Sequence, residues 1–353
     1  MIDFKFLKKI HRSRELDKRD FKKGIRADRN EKVEDWPKSI FFKIFNNILE
    51  HEFTSYYNTA KLHDLEKKIA KYLKVHTSNF VINHGGDGVI KEFLILNFKK
   101  KIKIMFNSNN YGMYNVYSKA LKYKITQIPY KIDLKEKNVF KINKNFFYNN
   151  LKKNNIIILT NPNVVSNFDF KKNEINKMCR KYPNKVFFID ESYYGFGHYT
   201  CVDLATRNKN LFVLRSITKT FGLASARIGF LISHKDSIKA LKALQTPYPV
   251  SLFGGKCLEY FLKNKNFVKN YNKQVEVGRD FFCNQLRKKG YLVNNGRGLS
   301  VMIYFESKRL SKLLYNKLIK NKIYVKQVLV NNRTFLRVTC GPNRTMRKIL
   351  RYF

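Results

Sequence analysis

The chain has 353 residues, of which 71 are Lys or Arg and 26 Asp or Glu, for a formal net charge of +45. Hydrophobic residues make up 44% and aromatics 15%, which excludes a wholly disordered chain and suits two or three packed units. The longest apolar runs, such as Ile156–Leu159, are far too short to span a bilayer, and the opening MIDFKFLKKIHRSR lacks the apolar stretch of a secretory leader, so a cytoplasmic protein is expected.

Cys179, Cys201, Cys257, Cys283 and Cys340 lie far apart, with no CxxC and no Cys/His cluster at ligand spacing, which indicates neither a disulfide framework nor a zinc site. The positive charge is scattered in ones and twos, with one triplet at Lys99-Lys100-Lys101, rather than gathered into a stripe. It therefore argues less for a nucleic-acid groove than for attraction of anionic substrates.

In chain order, residues 1–45, broken at Trp36-Pro37, show no strand pattern and are expected to pack against a C-terminal unit. KLHDLEKKIAKYL (61–73) has helical apolar spacing, FVINH (80–84) reads as a strand, GGDG (85–88) as a turn and VIKEFLILNF (89–98) as a second helix. KIKIMF (101–106), NIIILT (155–160), KVFFID (185–190), LFVLRS (211–216) and ARIGFLIS (226–233) are short, continuously apolar runs. That is the pattern of strands buried on both faces of a mostly parallel sheet. Helical stretches between them, such as FKKNEINKMCRKY (170–182), give the rhythm of a doubly wound α/β layer, predicted for residues 46–240. From 241 to 353, long basic helices (265–290 and 307–321) alternate with short strands SVMIYF (300–305) and TFLRVTCG (334–341), the reading of a smaller α+β unit.

Ligands of open α/β sheets gather outside the carboxyl ends of the strands, and unusual polar residues follow several of these runs. His84–Gly88 is either a tight turn with Asp87 as helix cap or a cradle of backbone N–H groups, around Gly86 and Asp87, for a phosphate. Asp190 and Glu191 end the 185–190 run, with Tyr193 just beyond; a carboxylate there holds a cationic ring nitrogen or serves as a capping acid. Ser216, Thr218 and Arg227 supply two hydroxyls and a guanidinium of the kind that anchors a phosphate. Lys219 among them can form a Schiff base once burial and positive neighbours depress its pKa. Tyr111, after the 101–106 run, offers a face to a planar ring or packs at a turn. Arg337 lies inside an apolar strand, where its charge demands an anion from protein or substrate.

In this order, over roughly residues 25–350, the Asp190-Glu-Ser-Tyr193 segment, the Ser216-Ile-Thr-Lys219 segment with Arg227, and Leu336-Arg337-Val-Thr-Cys-Gly341 resemble the fold-type I pyridoxal 5'-phosphate (PLP) enzymes, most closely the histidinol-phosphate aminotransferase group. The resemblance implies a large α/β domain, with a mostly parallel seven-stranded sheet between helices, and a small α+β domain. It implies that Lys219 bonds to PLP and moves the substrate proton, that Asp190 holds the pyridine nitrogen, that Tyr193 donates to the ring oxygen and that Tyr111 stacks on the ring. Gly86, Asp87, Ser216, Thr218 and Arg227 match the phosphate cup, and Arg337 the clamp on the substrate carboxylate. Tyr57 matches a tyrosine that reaches the phosphate of the partner subunit in a homodimer with shared active sites.

The Asn-Pro-Asn-Asn-Pro-Thr-Gly run of that family is Asn161-Pro162-Asn163-Val164-Val165-Ser166-Asn167 here, so the asparagine expected at the ring oxygen and substrate is Asn163 after a one-residue slip, or is missing. Asp28-Arg29-Asn30-Glu31 only loosely resembles the family's Asn-Glu-Asn stretch, which helps form the substrate entrance. The activity implied is amino transfer between an amino acid, glutamate foremost, and an oxo acid. A PLP-dependent decarboxylase of a phosphorylated amino acid, similar to threonine-phosphate decarboxylase, would share nearly all these residues. A basic nucleic-acid-binding protein on a PLP-like fold is the reading from another class, and the intact Lys219 and the lack of a helix-turn-helix segment oppose it.

Overall fold

Seven strands pair into one sheet: β1 (Phe80–His84), β2 (Lys103–Asn107), β3 (Lys124–Ile128), β4 (Ile156–Thr160), β5 (Val186–Asp190), β6 (Leu211–Ser216) and β7 (Ile228–Ile232). Their order across the sheet is β1-β7-β6-β5-β4-β2-β3. Every pairing is parallel except those of β7, which runs antiparallel to both its neighbours. The structure, a computed structural model, describes residues 16–46, 48–99, 101–136, 139–166, 169–196, 199–294 and 298–353. The opening segment, Lys100 and Asn167 lie outside the described residues.

The runs are continuous because both faces of the sheet are covered. Along β4, Ile156 and Ile158 enter one core with Val89, Phe93 and Tyr114, whereas Ile157 and Leu159 enter another with Leu65, Ile69 and Phe261. Helices α1 (Thr59–Leu73), α2 (Gly85–Leu96), α3 (Gly112–Ala120), α4 (Lys172–Lys181) and α5 (Leu252–Lys263) supply these covers. Asn58 starts α1 by accepting the N–H groups of Ala60 and Lys61 on its side chain. The expected turn at residues 85–88 is instead the first turn of α2, which begins at Gly85 with φ at 70°.

The C-terminal third builds a second, antiparallel sheet in the order β8-β9-β11-β10, from β8 (Val293–Asn294), β9 (Ser300–Phe305), β10 (Lys326–Val330) and β11 (Arg333–Thr339). Helices α6 (Lys265–Lys288), α7 (Lys308–Lys320) and α8 (Asn343–Leu350) pack on it through Val275, Phe282, Leu318 and Met346. Gly278 lets α6 approach so closely that any side chain there would strike the Gly341 carbonyl just beyond β11. The N-terminal stretch adds one two-residue strand, Ile25–Arg26, parallel to Ile323–Tyr324, too short to leave a pattern in the sequence. Ala27 and Val33 join the core of this second sheet, while Ile40 and Ile44 join the first. Among the described residues no helix is long and apolar enough to cross a membrane, and the five cysteines are buried free thiols.

One buried ion pair ties β5 to β6. Arg215 Nε donates to Glu191 Oε2 at 2.7 Å and its Nη2 to Thr200 Oγ1 at 2.8 Å, while its guanidinium lies 3.2 Å over the Tyr194 ring. Removing one member strands a charge out of water, whereas removing both does not. Arg215→Met should therefore lower stability by about 3–5 kcal/mol, and Arg215→Met/Glu191→Leu should recover most of the loss. Urea unfolding of the two variants reads this directly, and equal losses in both would show that the pair is not coupled.

Candidate active site

The carboxyl ends of β1, β5 and β6 bring the site together. Strand register sets Asp190 beside Thr160 and Leu214, and Ser216 beside Gly229. Asp190 is only 5% exposed; its Oδ1 accepts the Ser192 N–H at 2.9 Å and its Oδ2 the Tyr114 hydroxyl at 2.8 Å. Burial raises its pKa, since two neutral donors only partly replace water. The neighbouring Glu191, indistinguishable from it in sequence, turns away to Arg215.

Lys219 sits in the single helical turn Ile217–Thr220, which Ser216 caps by accepting the Thr218 N–H on its hydroxyl. Its Nζ donates to the Arg29 carbonyl at 3.0 Å. Burial brings its pKa down to about 8; Glu31 opposes this, and the charges of Arg337 and Arg227 reinforce it.

Around the first turn of α2, Arg227 Nη2 meets Asp87 Oδ2 at 3.0 Å, and the Tyr111 hydroxyl donates to Asp87 Oδ1 at 2.7 Å. Asp87 is thus no helix cap: its carboxylate spans the guanidinium and the phenol. A Cβ on Gly85 would lie 2.8 Å from Arg227 Nη2, and one on Gly229 2.6 Å from the Gly85 carbonyl carbon, so β7 and the start of α2 meet only because both residues are glycine. Gly86, Asp87, Ser216, Thr218 and Arg227 therefore converge around a helix N-terminus, an arrangement that suits an anion.

On the opposite side, Arg337 Nη2 donates to the Asp28 carbonyl at 2.5 Å, and its Nε is buried with no partner. Burial lowers its pKa against the opposing influence of Tyr193 and Asp28, and no carboxylate among the described residues comes within ion-pair distance of it. The Tyr193 hydroxyl accepts from Asn30 Nδ2 at 3.0 Å.

One expected residue stands apart. Asn163 Oδ1 accepts the Val165 N–H at 2.7 Å in its own loop, and none of its bonds reaches Asp190, Tyr193 or Lys219; it is Asn161 whose backbone N–H meets the Asp190 carbonyl, at 2.8 Å. Tyr57, expected to serve the partner's site, packs on Gly255 of α5, with the charges of Glu259 and Glu52 acting on it. Ser192 carries no signal of its own in the sequence, whereas Tyr114, one helical turn after Tyr111, and Asn30, within the Asp28–Glu31 stretch, each carry a weak one.

Residues 34–353 match the sequence profile of the family described as Aminotransferase class I and II. Over 336 residues the chain is 28% identical to histidinol-phosphate aminotransferase of Sulfurisphaera tokodaii, covering 94% of this chain and 90% of that protein. Its fold resembles the crystal structure of histidinol-phosphate aminotransferase from Sinorhizobium meliloti in complex with pyridoxal-5'-phosphate, with a TM-score of 0.80 and 17% identity over 92% of this chain and 89% of that one. It also resembles L-threonine-O-3-phosphate decarboxylase from Porphyromonas gingivalis, with a TM-score of 0.75 and 14% identity over 93% and 98% of the two chains.

The Lys219 environment sets a pH dependence. A lysine whose pKa falls from 10.5 to about 8 loses its proton well before surface lysines do. Reductive methylation of Lys219 in the cofactor-free protein, followed by peptide mass spectrometry, should reach half its maximal rate near pH 8, and a midpoint near that of surface lysines would refute the buried environment.

Proposed function

Because the chain belongs to the class I and II aminotransferase family, a family of PLP-dependent enzymes, we propose that it transfers an amino group between glutamate and the oxo counterpart of histidinol phosphate. The observation that carries this reading is Arg337, a buried guanidinium with a free Nε and, among the described residues, no carboxylate at ion-pair distance, close enough to Lys219 for its charge to depress the lysine pKa. Such a group calls for an anion from the substrate, the carboxylate of glutamate or the phosphate of histidinol phosphate.

The residues present fit PLP. Asp190 is a buried carboxylate served only by neutral donors, and a protonated ring nitrogen would supply the cation it lacks. Gly86, Asp87, Ser216, Thr218 and Arg227 would hold the phosphate, Tyr193 and Tyr111 the ring, and Lys219 the aldehyde carbon. When bound, PLP supplies an electron-withdrawing ring that acidifies the bonds at the amino-bearing carbon.

The protein's part is positional and protonic. Arg337 fixes the substrate anion, so the α-hydrogen faces Lys219. Lys219 Nζ takes that proton and returns one; a pKa of about 8 lets it serve as base and acid at neutral pH. Asp190 keeps the ring nitrogen protonated, and Arg227 shares its charge between Asp87 and the phosphate.

A second copy of the chain belongs to the proposal. Phe41, Phe42, Phe53, Tyr56 and Tyr248 are exposed beside Tyr57, with Tyr56 and Tyr248 stacked at 4.2 Å, and a homodimer would cover this apolar face and bring Tyr57 to the partner's cup.

The visible spectrum of the protein with PLP, before and after L-glutamate, tests the reading. A band that requires Lys219, is abolished in Lys219→Ala and is discharged by glutamate is the expected result. Carbon dioxide release from phosphothreonine without amino transfer would replace transamination with decarboxylation, and no Lys219-dependent band at all would sink the PLP site. Arg337→Met should raise the KM for glutamate about 100-fold, the worth of a charged hydrogen bond of roughly 2–3 kcal/mol, while sedimentation equilibrium reads the dimer.

A further inference from the structure

The segment Asp28–Asn30 touches three side chains of the site, and one of those contacts has a direction. The backbone N–H of Asn30 donates to Thr339 Oγ1 at 3.1 Å. The Thr339 hydroxyl sends its single proton to Asn30 Oδ1, also at 3.1 Å. These two bonds orient the amide: with Oδ1 turned to Thr339, the NH2 group faces Tyr193 and donates to its phenol oxygen at 3.0 Å. Tyr193 therefore does not give its own proton to Asn30. Arg337 on β11 and Asp190 on β5 are the charged groups that face it from the packed elements.

The arrangement is held firmly. Asn30 is 3% exposed and sits at φ 54°, a left-handed conformation that asparagine tolerates better than most residues. Thr339 is fully buried at the end of β11, two residues beyond Arg337.

We propose that Asn30 is a positioning residue: the relay from Thr339 through Asn30 keeps the Tyr193 oxygen supplied with a donor and leaves the Tyr193 proton for the ring oxygen of PLP. The inference rests on the reading above that Tyr193 faces that oxygen. A hydrogen bond donated to the ring oxygen stabilises its anionic form, so it lowers the pH at which the visible band of the PLP-loaded protein titrates.

Asn30→Asp keeps the side-chain size but replaces the donor with an acceptor, which draws the phenol proton away from the site. The test is a spectrophotometric pH titration of the full-length, PLP-loaded protein as wild type, Asn30→Asp, Asn30→Ala, Tyr193→Phe and Asn30→Asp/Tyr193→Phe. Asn30→Asp and Tyr193→Phe should each raise the midpoint by about one pH unit, and the double variant should match Tyr193→Phe. Asn30→Ala, which removes the donor without adding charge, should raise it less, and it gives the same reading if the Asp variant does not fold. An equal rise from Asn30→Asp in the Tyr193→Phe background would mean that the new charge acts through space, and the relay would be overturned. If Tyr193→Phe moves the midpoint while both single Asn30 variants leave it in place, the Asn30 inference alone fails. If Tyr193→Phe has no effect, the placement of Tyr193 fails and takes the relay with it.

Discussion

A carboxylate buried at the end of a central parallel strand is the constraint that the rest of the site answers. Asp190 has β4 on one side and β6 on the other, so water cannot reach it from either flank, and its two donors are uncharged. The fold tolerates such a group because the sheet is rigid and covered on both faces, and because the adjacent acid, Glu191, has its own arginine. Without that separation, two neighbouring carboxylates would compete for one desolvated pocket and raise each other's pKa. The Glu191–Arg215 pair thus locks two strand ends and leaves Asp190 without a cation of its own, its pKa raised further by the charge of Asp87 and the carboxylate open to a cation from outside the chain.

A depressed lysine pKa does not by itself identify the reactive amine. Lys32 is also brought to about 8, through burial, yet its Nζ lies 3.5 Å from the centre of the Tyr271 ring and 4.2 Å from that of Trp36. Its stem fills the space against Gly222, where a Cβ would lie 2.6 Å from it. Lys32 is a packing element held by aromatic faces. Charges act on both lysines, but Lys219 differs in its contacts: its Nζ donates to a backbone carbonyl rather than resting on aromatic rings, and Glu31, Arg337, Arg227 and Asp87 are the charges around it.

The sequence carried the central strands and most of the site because buried parallel strands leave unbroken apolar runs and because the polar residues that end them cannot be there for packing. It was blind where the signal is weak or distant. β3, KITQI, is an edge strand with one neighbour and alternates too loosely to stand out. Residues 85–88 looked like a turn because three glycines disfavour helix, yet Arg227 crowds Gly85 and Asn83 crowds Gly88, so the first turn of this helix has no room for side chains at those positions. Asp190 and Glu191 are equivalent on paper, and only Arg215 separates them. Asn30 reaches Tyr193 across 163 residues and Thr339 across 309, contacts to which no local periodicity points.

The bonds that Asp28 and Arg29 make to Arg337 and Lys219 come from main-chain carbonyls. The residue types at 28 and 29 bear on those two contacts only through the path of the chain, which their side chains help to hold by pairing with Arg19 and Asp17. Such contacts are written in backbone shape rather than in letters, which is how a segment with so little likeness to the family pattern can still close on Arg337 and Lys219.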